Sequence, residues 1–292
     1  ALAVPALAFL GEYGLTDKWS RGERIDLVSF CQQRNLEPRI VCALAEYLCW
    51  FGYLQAEDGF YSATPAGANA LARWPGAMLY YSYYPLLTEL FALARKEKDY
   101  GYGKDVYREM YFDTKASGLI SERGDIFGPV IDYLKREKYQ CLLDLGCGDG
   151  TFLAYACEKF PEIRVVGVDQ SEIALEAAIK NFKQQGLLDR YSFIQGDLLK
   201  PGEFMDAEAV GTVDIATIFF NLHDIAFDGL DRVETFLQCF REALPHVHLA
   251  ITEQYRLNQQ ERQLDLLCYR ASARFAAAEQ ESHNQFLDYR LA

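Results

Sequence analysis

The segment Leu142–Gly150 constrains the fold of this chain more than any other. It consists of an apolar run that ends in an acidic residue, Asp144, followed by three glycines at alternate positions, 146, 148 and 150. A pattern of helical spacing begins directly afterwards, at Thr151. Glycine tolerates the left-handed backbone and the close approaches that a tight turn requires. The segment therefore predicts a strand, a turn and a helix start, an arrangement in which backbone can approach a nucleotide-like ligand.

Apolar strands and helices continue to alternate as far as residue 253. The predicted strands are residues 141–145, 164–169, 191–195, 213–220 and 247–253. The predicted helices are residues 152–160, 171–185 and 230–243. Such alternation is typical of a parallel sheet covered by helices on both faces, which binds ligands beyond the carboxyl ends of its strands. The predicted fold class is α/β, with a Rossmann-like, doubly wound, mostly parallel sheet in a domain of residues 136–292.

Residues 1–75 are predicted to form a separate helical domain of the winged-helix type. Helical spacing covers residues 25–33 and 38–54, and Glu57–Ser62 predicts a hairpin. The second helix has no positive charge from Ile40 to Phe51, whereas a helix that reads a DNA groove needs Arg, Lys, Asn or Gln. The net charge of −13 also argues against a nucleic-acid partner. We interpret this domain as one for packing and homodimerisation, with a DNA-binding regulator as the non-enzyme alternative.

Residues 76–135 are predicted to be a helical linker rich in aromatic side chains. Tyr107, Tyr111 and Phe112 follow one another at helical spacing. Two interpretations remain open for these rings: they pack between domains, or they line a substrate pocket in the active site. A cationic ligand nearby would favour aromatic faces.

The composition limits location and partners. No apolar run is long enough to span a membrane, so no membrane partner is expected. The eight cysteines include no Cys-x-x-Cys pair and several lie in apolar patterns, which favours reduced thiols in a cytoplasmic protein.

Polar residues follow the next strands at the same predicted edge. Asp169 lies nineteen positions after Gly150, close to the spacing of about twenty at which an acid accepts ribose hydroxyls. Asp197 and Leu198 follow the third strand, and Asn221 follows the fourth. The third glycine comes one position earlier than in a dinucleotide-binding turn. An acid at the end of the first strand suits a ligand with a cationic amino acid end.

These features resemble motif I and its partners in the class I S-adenosylmethionine-dependent methyltransferases. The resemblance implies S-adenosylmethionine as the cofactor and S-adenosylhomocysteine as the product. It implies that Asp197 binds the adenine amino group, that the Leu198 amide contacts the ring, and that Asn221 lies beside the methionine portion. The cofactor-binding residues implied are Asp144, Gly146, Gly148, Gly150, Asp169, Asp197, Leu198 and Asn221.

A histidine just past the fourth strand is the candidate catalytic group. The segment Leu222–Asp224 reads Leu-His-Asp, and with the helical amino-terminal domain and aromatic linker it resembles small-molecule O-methyltransferases. These include the caffeic acid and flavonoid enzymes and bacterial natural-product relatives, in which Leu-His-Asp-Trp supplies the base; here Ile225 replaces the Trp. The resemblance implies that His223 is the general base and that Glu253 orients it. Asp224 is either a second catalytic carboxylate or a helix cap.

The predicted function is methyl transfer to a hydroxyl or activated carbon of a small molecule, free or carrier-bound, in bacterial secondary metabolism. One alternative is a metal-assisted C-methyltransferase acting on a 2-oxo acid or carrier-bound acyl group, with His223 and His283 as ligands; the main prediction includes no metal. Another is a relative that consumes S-adenosylmethionine without methyl transfer, for example by cyclisation. A helix is predicted at 258–281, seven strands are not assumed, and a domain of a larger synthase remains an alternative.

Overall fold

A computed structural model divides the chain into two compact units, Ala1–Ile120 and Ser121–Ala292. The boundary divides the segment 76–135, so the three-part division made from the sequence stays a prediction. The structure describes residues 3–101, 103–123, 126–187, 190–200, 202, 204, 207–226 and 229–253, together with the backbone of Leu287–Asp288.

The first unit consists of short helices and a small antiparallel sheet. Its elements are α1 (Ala3–Glu12), α2 (Leu15–Ser20), β1 (Ile25–Asp26), α3 (Leu27–Arg34), α4 (Pro38–Trp50), β2 (Leu54–Glu57), β3 (Phe60–Ala63), α5 (Pro65–Ala72), α6 (Trp74–Ser82), α7 (Tyr84–Thr88), α8 (Leu90–Ala94) and α9 (Met110–Arg123). The strand order is β1-β3-β2. The last three residues of α9 lie past the boundary between the units.

Two helix bounds in this unit differ from the sequence expectation. Helix α3 begins at Leu27, two residues later than predicted, because the Asp26 side chain accepts the amide N–H groups of Val28 and Ser29 and so caps the helix, while Ile25 lies in β1. The helix predicted to reach Leu54 ends at Trp50, since Gly52 adopts a left-handed φ of 71°. The chain then enters the predicted hairpin.

Helix α4 presents one apolar face to the core and other apolar side chains to the surface. Val41, Ala45 and Leu48 are buried in the core of the first unit. In contrast, Ile40 is 58% exposed and Trp50 is 91% exposed. The core therefore takes up only part of the apolar surface of this helix.

The second unit contains the parallel sheet. Its elements are α10 (Gly128–Glu137), β4 (Cys141–Leu145), α11 (Thr151–Lys159), β5 (Arg164–Asp169), α12 (Glu172–Gln184), β6 (Tyr191–Gln195), β7 (Ile215–Phe219), α13 (Leu222–Ile225), α14 (Leu230–Ala243), β8 (His248–Thr252) and β9 (Leu287–Asp288). The sheet order is β6-β5-β4-β7-β8-β9, with five parallel strands and β9 antiparallel to β8. The predicted fold class is confirmed. The helix predicted at 258–281 lies outside the described residues.

Each face of the sheet carries its own core. Leu142 packs into a cluster with α10 and α11, while its neighbours Cys141 and Leu143 pack into a second cluster with α14. Consecutive side chains of a strand point to opposite faces, so an apolar strand such as β4 must be covered on both. Because β4 lies between β5 and β7, the carboxyl ends of these three strands are adjacent.

Candidate functional site

The turn after β4, which we call the glycine turn (Gly146–Gly150), is built from left-handed glycines. Their φ angles are 77° at Gly146, 56° at Gly148 and 71° at Gly150. A Cβ on Gly150 would lie 3.2 Å from Ala178 Cβ on α12, and φ above zero would strain any other residue there. The predicted strand–turn–helix is therefore present, and its glycines are required by backbone conformation and close packing.

Asp169 joins the end of β5 to the glycine turn. Its carboxylate accepts the Gly148 amide through Oδ2 and the Ser171 amide through Oδ1, both at 2.9 Å. Burial raises the pKa of Asp169, these amide bonds oppose the shift, and the charge of Asp224 adds to it. Each carboxylate oxygen retains acceptor capacity beyond its one amide bond, as two ribose hydroxyls would require.

Asp144 lies inside the sheet and is 3% exposed. Its Oδ1 is 2.7 Å from the hydroxyl of Thr217, which lies on the adjacent strand β7. Burial raises the pKa of Asp144 to about 7, although the Thr217 hydrogen bond lowers it; the charge of Asp169 raises it further. Asp144 is therefore the acid of this edge with the most marked preference for its neutral form.

Asp197 stabilises the turn that follows β6 through two contacts. Its Oδ1 accepts the amide N–H of Leu199 at 2.9 Å, and its Oδ2 is 3.4 Å from Lys200 Nζ. Leu198 packs against the core cluster that contains β7 and β8. These contacts fix the local turn, and the adenine contacts of Asp197 and Leu198 stay a prediction.

Asn221 is bonded to the glycine turn. Its Nδ2 donates to the carbonyl oxygen of Phe219 at 2.7 Å and to that of Gly146 at 3.2 Å. Phe220, the residue between β7 and Asn221, has a left-handed φ of 53°, which is rare for a bulky residue. The family resemblance implied that Asn221 lies beside the methionine portion of the cofactor, which stays a prediction; the bonds of Asn221 to the turn were not predicted.

His223 and Glu253 form a close pair. Glu253 Oε1 is 3.0 Å from the imidazole Nδ1, and Oε2 accepts the His223 amide N–H at 3.2 Å. The histidine lies on α13 directly after β7, and the glutamate directly follows β8, the strand that pairs with β7 in parallel. The His223 side chain is 51% exposed, so the imidazole remains accessible although one nitrogen is engaged.

Asp224 lies on the other side of the imidazole. Its Oδ1 is 3.9 Å from His223 Nε2, and its charge contributes to the raised pKa of Asp169. The structure thus brings Asp224 near both the histidine and the β5 end. Asp224 lies inside α13, whose N-cap is Asn221, and the N-cap of the following helix, α14, is Gly229. A role for Asp224 as a second catalytic carboxylate stays a prediction.

The three aromatic candidates belong to the first unit and have contacts there. The Tyr111 hydroxyl donates to Glu12 at 2.8 Å, and the Phe112 ring packs edge-on against Tyr81 at 5.1 Å. Tyr107 stacks on Tyr100 at 6.2 Å. These contacts explain why the rings are ordered within their own unit, and a role in a substrate pocket stays a prediction.

Thr217 is the residue that sequence reasoning missed altogether. It is fully buried within the otherwise apolar strand β7 (Ile215–Phe219), where a hydroxyl needs a hydrogen-bond partner. A lone polar residue in such a strand was the available signal, but its partner, Asp144, is 73 positions away. Only the strand order identifies the pair.

The described part of the chain shows neither a metal-binding cluster nor a membrane-spanning helix. Within it, no group of three or more His, Cys, Asp or Glu side chains has the geometry to hold a metal ion. His283, the second ligand of the metal alternative, lies outside that part. Among the same residues, no helix is both long and apolar enough to cross a bilayer.

Residues 143–246 match the family model described as "Methyltransferase domain". Curated relatives include phenazine O-methyltransferase PhzM of Lysobacter antibioticus, 30% identical over 124 residues, which are 42% of this chain and 33% of that protein. The sterol 24-C-methyltransferase of Debaryomyces hansenii is 24% identical over 148 residues, 51% of this chain and 36% of that protein. The matched segments thus span about a third of these relatives.

Solved structures with the same fold cover most of this chain. Mitomycin 7-O-methyltransferase MmcR superposes with a TM-score of 0.55 at 18% identity, covering 91% of this chain and 81% of that one. Human N-acetylserotonin methyltransferase, in complex with SAM, has a TM-score of 0.57 at 14% identity and the same coverages. At these identities the likeness shows the fold. Residues 143–246 are therefore similar in sequence to the methyltransferase domain, and the chain shares its fold with these methyltransferase structures.

Proposed function

We propose that this chain is an S-adenosylmethionine-dependent methyltransferase that acts on a small-molecule acceptor in bacterial secondary metabolism. The observation that carries the proposal is the His223–Glu253 pair, at 3.0 Å, next to the strand edge where the glycine turn and Asp169 lie. A protein that only bound the cofactor would need no accessible base there. Similarity to methyltransferases of phenazine and mitomycin chemistry supports a natural-product acceptor.

The residues present fit the cofactor. The glycine turn places the Gly148 amide against the Asp169 carboxylate, which has further acceptor capacity for ribose hydroxyls. Asp144, Asp197 and the Leu198 amide complete the set that would hold the nucleoside and its amino acid end. When bound, the cofactor supplies a methyl group on a sulfonium ion, which is open to direct displacement.

His223 would remove the proton from the acceptor as the acceptor attacks the methyl group. Since Nδ1 is bound to Glu253, the proton would go to Nε2, and the resulting imidazolium would be stabilised by Glu253 on one side and Asp224 on the other. Imidazole has an unperturbed pKa near ~6.5, and general-base help of this kind is worth roughly 10²–10⁴-fold. Glu253 is a positioning residue here because it binds both the ring and the backbone of His223.

The proposal includes a homodimer formed through the first unit. Ile40, Trp50 and Phe51 on and beside α4 are 58%, 91% and 51% exposed, as a contact surface for a second copy would require. Large apolar side chains are rarely left exposed together unless they bind a partner. Buried unpaired thiols such as Cys31 and Cys157 fit the reducing cytoplasm.

The test combines cofactor binding with a search for the acceptor. Purified protein is titrated with S-adenosylhomocysteine by calorimetry, then incubated with S-adenosylmethionine and a panel of phenols, hydroxylated aromatics and 2-oxo acids. We expect one class to yield S-adenosylhomocysteine and a product heavier by one methyl. Failure of the wild-type chain to bind S-adenosylhomocysteine would overturn the proposed function.

Replacement of the base separates catalysis from binding. His223→Ala should lower kcat by about 10²–10⁴-fold while the dissociation constant for S-adenosylhomocysteine stays nearly the same. His246→Ala, which replaces an exposed histidine at the other end of β8, is the matched control and should retain activity. An unchanged kcat in His223→Ala would refute the assignment of the base.

A further inference from the structure

Asn221 lies between the two halves of the proposed site. Its side chain bonds to the carbonyl of Gly146 in the glycine turn, and a Cβ on that glycine would lie only 2.4 Å from Asn221 Nδ2. The side-chain amide of Asn221 therefore occupies the space directly against Gly146. The same Nδ2 donates to the Phe219 carbonyl, the last residue of β7.

The backbone of the same residue starts the helix that carries the base. Asn221 is the N-cap of α13, and its carbonyl accepts the amide N–H of Ile225 at 3.1 Å. His223 follows two positions later, on a helix of only four residues. Because so short a helix has little stability of its own, its orientation depends on its first residue and on the Glu253 bonds to His223.

The residue before Asn221 is strained. Phe220 adopts a left-handed φ of 53°, and its amide N–H donates to the Thr252 carbonyl of β8 at 2.8 Å. Strained backbone persists only where surrounding contacts over-determine it. Here the Thr252 bond and the two side-chain bonds of Asn221 hold the backbone between β7 and α13 in place.

We propose that Asn221 is a positioning residue that couples the glycine turn to His223, so that a change at the turn on cofactor binding reaches the imidazole. The inference deepens the proposed function and rests on it. A base and a methyl donor must be aligned within a fraction of an ångström, and a misplacement of about 1 Å costs roughly 100-fold in rate. Asn221 bonds to the glycine turn and begins α13, the helix that carries His223, so this one residue can set that alignment.

The chain offers a matched control in Asn181. Its Nδ2 also donates to a carbonyl of the glycine turn, that of Asp149 at 3.3 Å, but it lies on α12 and has no bond to α13. The two asparagines thus make the same kind of bond to one turn. Only Asn221 extends the connection to His223, so a general effect of loosening the turn should appear in both variants.

The experiment follows the imidazole of His223 by NMR with ¹³Cε1-labelled histidine, the signal being assigned with His223→Gln. In the wild type and in Asn181→Ala, we expect saturating S-adenosylhomocysteine to shift the His223 signal and its titration midpoint. In Asn221→Ala, calorimetry should show a dissociation constant within about fivefold of wild type, while the ligand-induced shift is lost. With an accepted methyl acceptor, kcat should fall about 10- to 100-fold with a smaller change in KM.

A second variant covers the case in which Asn221→Ala does not fold. Asn221→Asp keeps the shape but replaces both N–H donors with an oxygen facing two carbonyls, and it should lose the coupling in the same way. A ligand-induced shift that persists in a folded Asn221 variant, or that disappears equally in Asn181→Ala, would overturn the inference. If S-adenosylhomocysteine does not bind the wild type, it is the proposed function that fails.

Discussion

The ends of β4 and β5 lie side by side, yet their carboxylates are in different electrostatic situations. Asp169 at the end of β5 accepts two backbone amides, which favour its charged form. Asp144 near the end of β4 is bonded to one hydroxyl inside the sheet, and burial raises its pKa to about 7. Burial raises the pKa of Asp169 as well, but its amide bonds oppose the shift. The comparison is therefore between a carboxylate whose charged form is supported by backbone donors and one whose ionisation depends on pH near neutrality.

The largest expected effect comes from removing the acid of β5. Asp169→Ala should weaken binding of S-adenosylhomocysteine by about 100-fold or more, because charged hydrogen bonds are worth roughly 1.5–3 kcal/mol each and about 1.4 kcal/mol is tenfold in affinity. Calorimetric titration at pH 8 measures it. Equal affinity in the variant would remove Asp169 from the cofactor site.

Asp214→Ala is the control for that variant. The Asp214 carboxylate also accepts two backbone amides, from Gln140 at 2.8 Å and Cys141 at 2.9 Å, but at the amino end of β4. Its loss should lower the free energy of unfolding and leave ligand affinity within about twofold. A comparable loss of affinity would mean that Asp169 acts only through the fold.

Removing the acid of β4 should change how stability depends on pH. The folded chain retains a proton on Asp144 at pH values where the unfolded chain has released it, so the free energy of unfolding falls as pH rises from about 4 to about 7. Asp144→Asn removes this contribution. Urea unfolding should therefore show the variant gaining stability relative to wild type between pH 5 and pH 8; a constant difference would contradict the raised pKa.

The smallest expected effect tests the hydrogen bond from Thr217 to Asp144. Thr217→Val keeps the shape and deletes the hydroxyl, which should cost about 1.5–3 kcal/mol at pH 8, where the carboxylate is charged, and about 0.5–1.5 kcal/mol at pH 5. Urea unfolding at the two pH values measures both. Thr217→Ser retains the hydroxyl and should show little of this pH dependence. Equal changes in the free energy of unfolding for Thr217→Val and Thr217→Ser would show that the hydroxyl does not stabilise the Asp144 carboxylate.

The sequence was sufficient for features that depend on local pattern. Five strands of the second unit follow from short apolar runs between helical segments, and the glycine turn follows from spacing that only left-handed backbone explains. His223 and Glu253 were paired through a family resemblance, and their 3.0 Å contact follows from the parallel pairing of β7 with β8. Periodicity and strand order together thus placed most of the candidate site at one edge.

Features that depend on pairing between distant strands could not be read from the chain. The Thr217–Asp144 bond and the raised pKa of Asp144 require β4 and β7 to be neighbours, which the order of strands in sequence does not state. The left-handed Phe220 is also invisible, because Phe gives no signal for φ above zero. Near Ile25, periodicity favoured a helix where two residues instead pair with β3.

The exposed Trp50 has an optical consequence. The chain has three tryptophans, of which Trp19 and Trp74 are buried and Trp50 is 91% exposed. Long-wavelength tryptophan emission and its quenching by iodide therefore report mainly on Trp50 at the end of α4. Emission at shorter wavelength reports on the two buried indoles. Binding of a partner over Trp50 should therefore change the fluorescence of the unlabelled protein, without any need to follow the reaction at the strand edge.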